Sequence, residues 1–112
     1  MSDCLFCKMV AGEITPNVVF EDDEVLAFND IQPQAPIHIL IIPKTHVSTL
    51  NDADDITMLG KLTQTAAKLA KQLGVAETGY RTVINCNAQG GQAVYHLHVH
   101  LLAGRQMLWP PG

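Results

Sequence analysis

The segment Tyr95-His96-Leu97-His98-Val99-His100-Leu101-Leu102 constrains this chain more than any other, because three of its five histidines alternate strictly with apolar residues. A period of two marks a β-strand with one face in a core. Leu97, Val99 and Leu101 are expected to press inward, while His96, His98 and His100 share the opposite face and line a surface. At roughly 3.3 Å per residue the outer two histidines lie about 13 Å apart, whereas two ligands of one tetrahedral zinc lie only about 3–4 Å apart. One metal therefore cannot hold all three on a straight strand. A row of imidazoles better suits proton handling or an anion.

A chain of 112 residues is expected to form one small domain over residues 1–112. Apolar residues make up 47%, and no run approaches the roughly 18 that a membrane span needs, so a membrane partner is not expected. Met1-Ser2-Asp3-Cys4 lacks a basic region followed by an apolar run, which makes the cytoplasm the expected location. The formal charge is −4 and the seven basic residues are scattered, so nucleic acid is not an expected partner. Small phosphorylated ligands remain compatible, because backbone amides and histidine can hold them without a lysine cluster. Cys4 and Cys7 have CxxC spacing without the βαβ surroundings of a redox pair, and read as half a zinc site.

The order of elements reads β-β-β-α-β-β after a short helix over Leu5 to Val10. Strands are expected near Val18-Val19-Phe20, at Val25 to Phe28 after an Asp22-Asp23-Glu24 turn, and at His38 to Ile42, the last buried on both faces. A cap within Asn51-Asp52-Ala53-Asp54 opens the main helix, whose Ile56, Leu59, Leu62, Ala66, Leu69 and Leu73 recur at helical spacing until Gly74. Tyr80 to Asn85 and His96 to Ala103 complete the set. With one helical connection, an antiparallel meander covered by a helix is expected, of the α+β class.

The loop between the last two strands contains Gly90-Gly91-Gln92, whose backbone N–H groups can form a concavity for phosphate oxygens, with Asn85 adding an amide donor. A neutral imidazole attacks phosphorus without charge repulsion and leaves a phosphoramidate that water can cleave. His98 is the best placed. An acceptor on its Nδ1–H would leave Nε2 free to attack, while His100 or His38 donates to the phosphate. GxxxxGK[ST], GxSxG and HExxH segments do not occur, which excludes the enzymes those motifs define.

His96-Leu97-His98-Val99-His100-Leu101-Leu102 resembles the His-φ-His-φ-His-φ-φ motif of the histidine triad (HIT) superfamily. Phe20-Glu21-Asp22-Asp23, Ala27 to Ile31, Pro33-Gln34-Ala35-Pro36, Gly90-Gly91-Gln92 and the ending Gly104 to Gly112 are similar to its HINT branch, so the resemblance covers nearly the whole chain. It implies a five-stranded antiparallel sheet with one main helix and a short N-terminal helix. It also implies a homodimer and hydrolysis of purine nucleoside phosphoramidates such as AMP joined to lysine, or of other adenylates, through a nucleotidyl-histidine intermediate. No cofactor is implied for that chemistry.

By matching positions, the resemblance assigns attack on the α-phosphorus to His98, a polar relay to His100 and His38, and orientation of His98 to the His96 carbonyl. It gives phosphate oxygens to Asn85, Gly91, Gln92 and the amide near Ala93, and the ribose to Asp30. It places Leu5, Phe6, Met9, Phe28, Ile31 and Leu40 around the purine of AMP or GMP, and Trp109 near the other protomer's substrate. Ala93 stands where many branch members carry serine, which removes a hydroxyl near the leaving group. Cys4, Cys7, His46 and His96 together resemble the zinc ligands of some histidine triad relatives, as a structural site. Dinucleoside polyphosphate hydrolysis, as in the Fhit branch, and a nonenzymatic purine nucleotide-binding regulatory module are the alternative functions; the Trp-Pro-Pro-Gly ending argues against the first.

Overall fold

A computed structural model describes residues 3–112. Met1 and Ser2, which open the stretch read for an export signal, lie outside the described residues. The elements are α1 (Leu5–Val10), β1 (Val18–Glu21), β2 (Val25–Asn29), β3 (Ile37–Pro43), a 3-10 turn (Leu50–Asp52), α2 (Ile56–Gln72), β4 (Tyr80–Val83) and β5 (Val99–Ala103). They form a five-stranded antiparallel sheet with one main and one short helix.

The strand order is β1-β2-β3-β5-β4, so the simple meander expected from the sequence stops at β3. The chain then crosses through α2 to the sheet edge and returns, inserting β5 between β3 and β4. From His100 to Ala103 each β5 residue thereby gains a partner on both sides: Leu101 pairs with Ile39 and with Thr82, and His100 with Leu40 and with Val83. The most buried positions of the histidine strand are thus in the sheet interior rather than at an edge.

Alternation along β2, β3 and β5 divides the core in two. Val25, Ala27, Ile39, Ile41, Leu97, Val99 and Leu101 face α2 and pack on Leu62, Ala66, Leu69 and Ala70. Leu26, Phe28, Leu40 and Ile42 face the other way and pack beneath Phe6 of α1. β3 is accordingly buried on both faces, as its continuous apolar run predicts. The helical stripe holds at Leu62, Ala66 and Leu69, while its ends at Ile56 and Leu73 are exposed.

Three boundaries differ from the sequence reading. Asp55 caps α2, accepting from the Met58 N–H at 3.1 Å, because Asp52 is already engaged by the Thr49 hydroxyl at 2.9 Å in the preceding 3-10 turn. β4 ends at Val83 rather than Asn85. β5 begins at Val99 rather than His96, since the register that pairs Ile41 with Val99 brings Pro43 opposite Leu97, and Pro43 has no N–H to continue the ladder. The Leu97 N–H turns instead to the Val47 carbonyl at 2.6 Å.

Candidate active site

Although only His100 lies within β5, the alternation persists upstream: Leu97, Val99 and Leu101 enter the α2 core, and the three histidines take the opposite side. They do not line an open surface. His96 has no exposed area and His98 retains 6%, because α1 closes over them. Phe6, itself 3% exposed, sets its ring edge-on to Phe28, His96 and His98, with centroids 5.4, 5.8 and 5.2 Å away.

Hydrogen bonds fix which nitrogen of each ring carries the proton, since a neutral imidazole has one donor and one acceptor. His98 Nδ1 lies 2.7 Å from the His96 carbonyl, which can only accept, so Nδ1 holds the proton and Nε2 keeps its lone pair. The Gln34 backbone N–H donates to His38 Nδ1 at 3.0 Å, which places the His38 proton on Nε2. That Nε2–H lies 2.9 Å from His100 Nδ1 and 3.4 Å from an Asp30 carboxylate oxygen. His100 Nδ1 then accepts, and its own proton sits on Nε2. The result is a bare nitrogen on His98 next to a directed His38-to-His100 donor chain, with the His98 and His100 ring centroids 5.0 Å apart.

Electrostatics favours the neutral rings this requires. Burial pushes His38, His96 and His98 below the ordinary histidine range. Burial, reinforced by the neighbouring His98 and His38, holds His100 down to about 4. At neutral pH the cluster is a set of uncharged nucleophiles and donors, suited to an anionic phosphorus centre.

Beside it, Cys4, Cys7, His46 and His96 bring their ligand atoms within 4.8 Å of one another. Cys4 Sγ is 3.4 Å from His96 Nδ1, and Cys7 Sγ is 3.2 Å from His46 Nδ1. The residues fit a tetrahedral S₂N₂ metal, because His96 donates from Nε2 to the Pro43 carbonyl at 2.8 Å and His46 Nε2 lies 3.2 Å from the Ser48 hydroxyl. His96 thus turns an unprotonated Nδ1 toward the thiols, and the Ser48 hydroxyl offers His46 the second hydrogen bond that metal-binding histidines use. Asp30, His38 and His100 are clustered as tightly, yet His38 is unsuited to a metal there: its Nε2 is committed to a proton by the Gln34 bond at Nδ1.

Other expected contacts differ. Gly91 and Gln92 do not present open amides, since their N–H groups bond to the Ala88 and Asn87 carbonyls at 3.1 Å each. The Gln92 side chain is a buried strut, accepting from Asn87 N and donating to the carbonyls of Ser48 and Val94. The glycines serve the turn: Gly91 has a φ of +78°, and a Cβ at Gly90 would collide with the Cys86 backbone. Asn85 sits beside Gly91 but donates to the Gly90 carbonyl at 2.7 Å. Ala93 is exposed in the same loop.

Of the residues assigned to the base, Phe6 of α1 is core together with Phe28 and Leu40 beneath it, Met9 is half-buried against them, and Leu5 and Ile31 are exposed, Ile31 at 94%. Trp109, 81% exposed, lies on the Arg81 guanidinium of β4, 5.9 Å from ring centroid to Cζ, and is held at that edge rather than against the histidines. Gln34, Pro43 and Ser48, which act through backbone or hydroxyl atoms, carry no sequence signal of their own. Only the flanking Pro33 and Pro36 hint that Gln34 is held.

The alternating histidines on a five-stranded sheet with the helix behind define the class, and the chain belongs to the HIT domain family, which it matches over residues 11–107. Within that family it falls in the HINT branch. It is 55% identical over 115 residues to adenylylsulfatase HINT1 of Arabidopsis thaliana, covering 99% of this chain and 78% of the relative. A 14 kDa zinc-binding protein of Brassica juncea is 54% identical, covering 98% and 100%. Purine nucleoside phosphoramidase of Escherichia coli K12 is 50% identical, covering 94% and 90%. Among solved structures, a HIT family hydrolase from Legionella pneumophila superposes with a TM-score of 0.96 at 57% identity, covering 98% of this chain and all of that one.

Proposed function

We propose that this chain is a purine nucleoside phosphoramidate and adenylate hydrolase, a single HIT domain over residues 1–112 that works as a homodimer. The observation that carries the reading is the bare Nε2 of buried, neutral His98 beside a donor relay. Nε2 attacks the α-phosphorus, and the leaving group departs with the bonding electron pair, taking a proton from solvent when it is an amine. Water then adds to phosphorus, the P–Nε2 bond breaks, a proton is released and His98 returns to its neutral form. The His100 Nε2–H, backed by His38, stabilises the negative oxygens, with Asn85 and the amide near Ala93 as further donors. Asp30 accepts from the ribose hydroxyls of AMP or GMP, and Leu5, Met9 and Ile31 border the purine above a floor of Phe6, Phe28 and Leu40.

Names among the relatives that specify a purine nucleoside phosphoramidase and an adenylylsulfatase support the substrate class. Cys4, Cys7, His46 and His96 would hold a structural Zn²⁺, a reading supported by their S₂N₂ donor set and by a zinc-binding relative. The exposed β4 edge, with Trp109 beside it, is the surface for the second protomer. No helix among the described residues is long and apolar enough to cross a membrane, and a reducing cytoplasm would keep Cys4 and Cys7 from oxidising to a disulfide.

Mixing with an adenosine phosphoramidate, quenching in base and mass spectrometry tests the mechanism. A nucleotidyl adduct on His98, absent from His98→Ala, is expected. Turnover that persists in His98→Ala would overturn it.

A further inference from the structure

The direction of the His38-to-His100 relay depends on a single main-chain donor. Two neutral arrangements of this pair are chemically equivalent: His38 Nε2–H donating to His100 Nδ1, or His100 Nδ1–H donating to His38 Nε2. The second leaves His100 Nε2 without a proton, so it could offer no donor to a phosphate oxygen. The Gln34 N–H at 3.0 Å from His38 Nδ1 selects the first. The Asp30 carboxylate favours the same arrangement from 3.4 Å, a longer reach.

Gln34 lies in the exposed connection between β2 and β3, where a main-chain donor needs an anchor to keep its aim. Internal bonds shape the turn: Asp30 accepts from the Gln32 N–H at 2.8 Å, and the Gln34 amide donates to the Gln32 carbonyl at 3.1 Å. From outside the loop, Arg105 donates from Nε to the Gln34 carbonyl at 3.1 Å. Arg105 follows Gly104 directly after β5, the strand that carries His100. At Gly104 a positive φ of +95° lets the backbone approach Pro36 so closely that a Cβ would lie 2.8 Å from the proline Cβ. The end of the His100 strand therefore clips down the loop whose amide sets the proton on His38.

We propose that Arg105 is a positioning residue for the relay: its bond to the Gln34 carbonyl holds the Gln34 N–H on His38 Nδ1, and so keeps a proton on His100 Nε2. Arg105 touches neither histidine. The inference rests on the reading of His38 and His100 as the donor chain, but its structural half is measured without substrate.

Long-range ¹⁵N NMR of the ring nitrogens at pH 7.5 reads the tautomers of His38 and His100 directly. The parent chain is expected to show His38 with a bare Nδ1 and a protonated Nε2. Arg105→Ala should give a mixture of both tautomers at His38 and His100. With a fluorogenic adenosine phosphoramidate, the same variant should lose about tenfold in kcat, with KM within about twofold, the scale of one weakened donor in the transition state. Arg105→Lys, which can still reach a carbonyl, should return most of both signals. If Arg105→Ala does not fold, Arg105→Met, which keeps the stem but no donor, carries the same expectations. A His38 tautomer pattern unchanged in the folded donorless variant overturns the proposal, whatever its activity. A parent without turnover but with the expected tautomer shift would count against the hydrolase reading alone.

Discussion

His98 Nδ1 lies 2.7 Å from the main-chain carbonyl of His96, so one residue orients the His98 ring with its backbone while its own ring faces two cysteines and a second histidine. The candidate metal site and the candidate nucleophile are thereby joined through a single peptide unit. Phe6, between Cys4 and Cys7 in sequence, adds a second link by lying against both rings.

Metal removal should therefore weaken the fold near the triad. Purified protein is expected to contain about one equivalent of zinc, and chelation to lower Tm by about 5 °C or more, as expected for losing 1–2 kcal/mol in a domain of this size. Elemental analysis paired with scanning calorimetry reads both. Less than about a tenth of an equivalent would remove the metal from the account.

Phe6→Ala empties the space between α1 and the sheet. A destabilisation of about 3–5 kcal/mol is expected, the range for deleting a buried phenylalanine, and urea unfolding monitored by circular dichroism measures it. A loss below about 1 kcal/mol would mean that α1 does not depend on this ring.

Stability should fall on the acid side. Folded His100 resists protonation down to about 4 because it is buried beside two other imidazoles, whereas an unfolded histidine takes up its proton near 6.5. The unfolded chain then binds more protons, so the full contribution is present above pH 6.5 and is lost as pH drops from 6.5 toward 4. His38 and His98, lowered chiefly by burial, act in the same direction. The urea midpoint at pH 5 should lie below that at pH 7.5, with His100 alone accounting for about 1–2 kcal/mol. Equal midpoints would contradict the neutral, buried assignment.

The β4 edge predicts association. Sedimentation equilibrium is expected to give twice the 12.2 kDa chain mass, and Thr82→Pro, which removes an N–H from this edge strand, to shift it toward the monomer. A parent chain that sediments as a monomer at micromolar concentration would rule out the edge pairing.

Sequence alone determined what depends on local geometry. Side chains alternate across a strand, so the three histidines had to take the face opposite Leu97, Val99 and Leu101. The same reasoning placed α1, the helical stripe of α2 and the two-faced burial of β3. Tertiary structure decided everything set by a partner remote in the chain. The insertion of β5 beside β3 depends on register between residues some 60 positions apart, and β5 starts late because Pro43 stands opposite Leu97. Gln92 became a buried strut because the Ser48 carbonyl arrives beside it. Which nitrogen carries the proton on His38, His96, His98 and His100 was likewise settled by the Gln34 main-chain N–H and by the carbonyls of His96 and Pro43, acceptors and donors of the backbone that only folding aims.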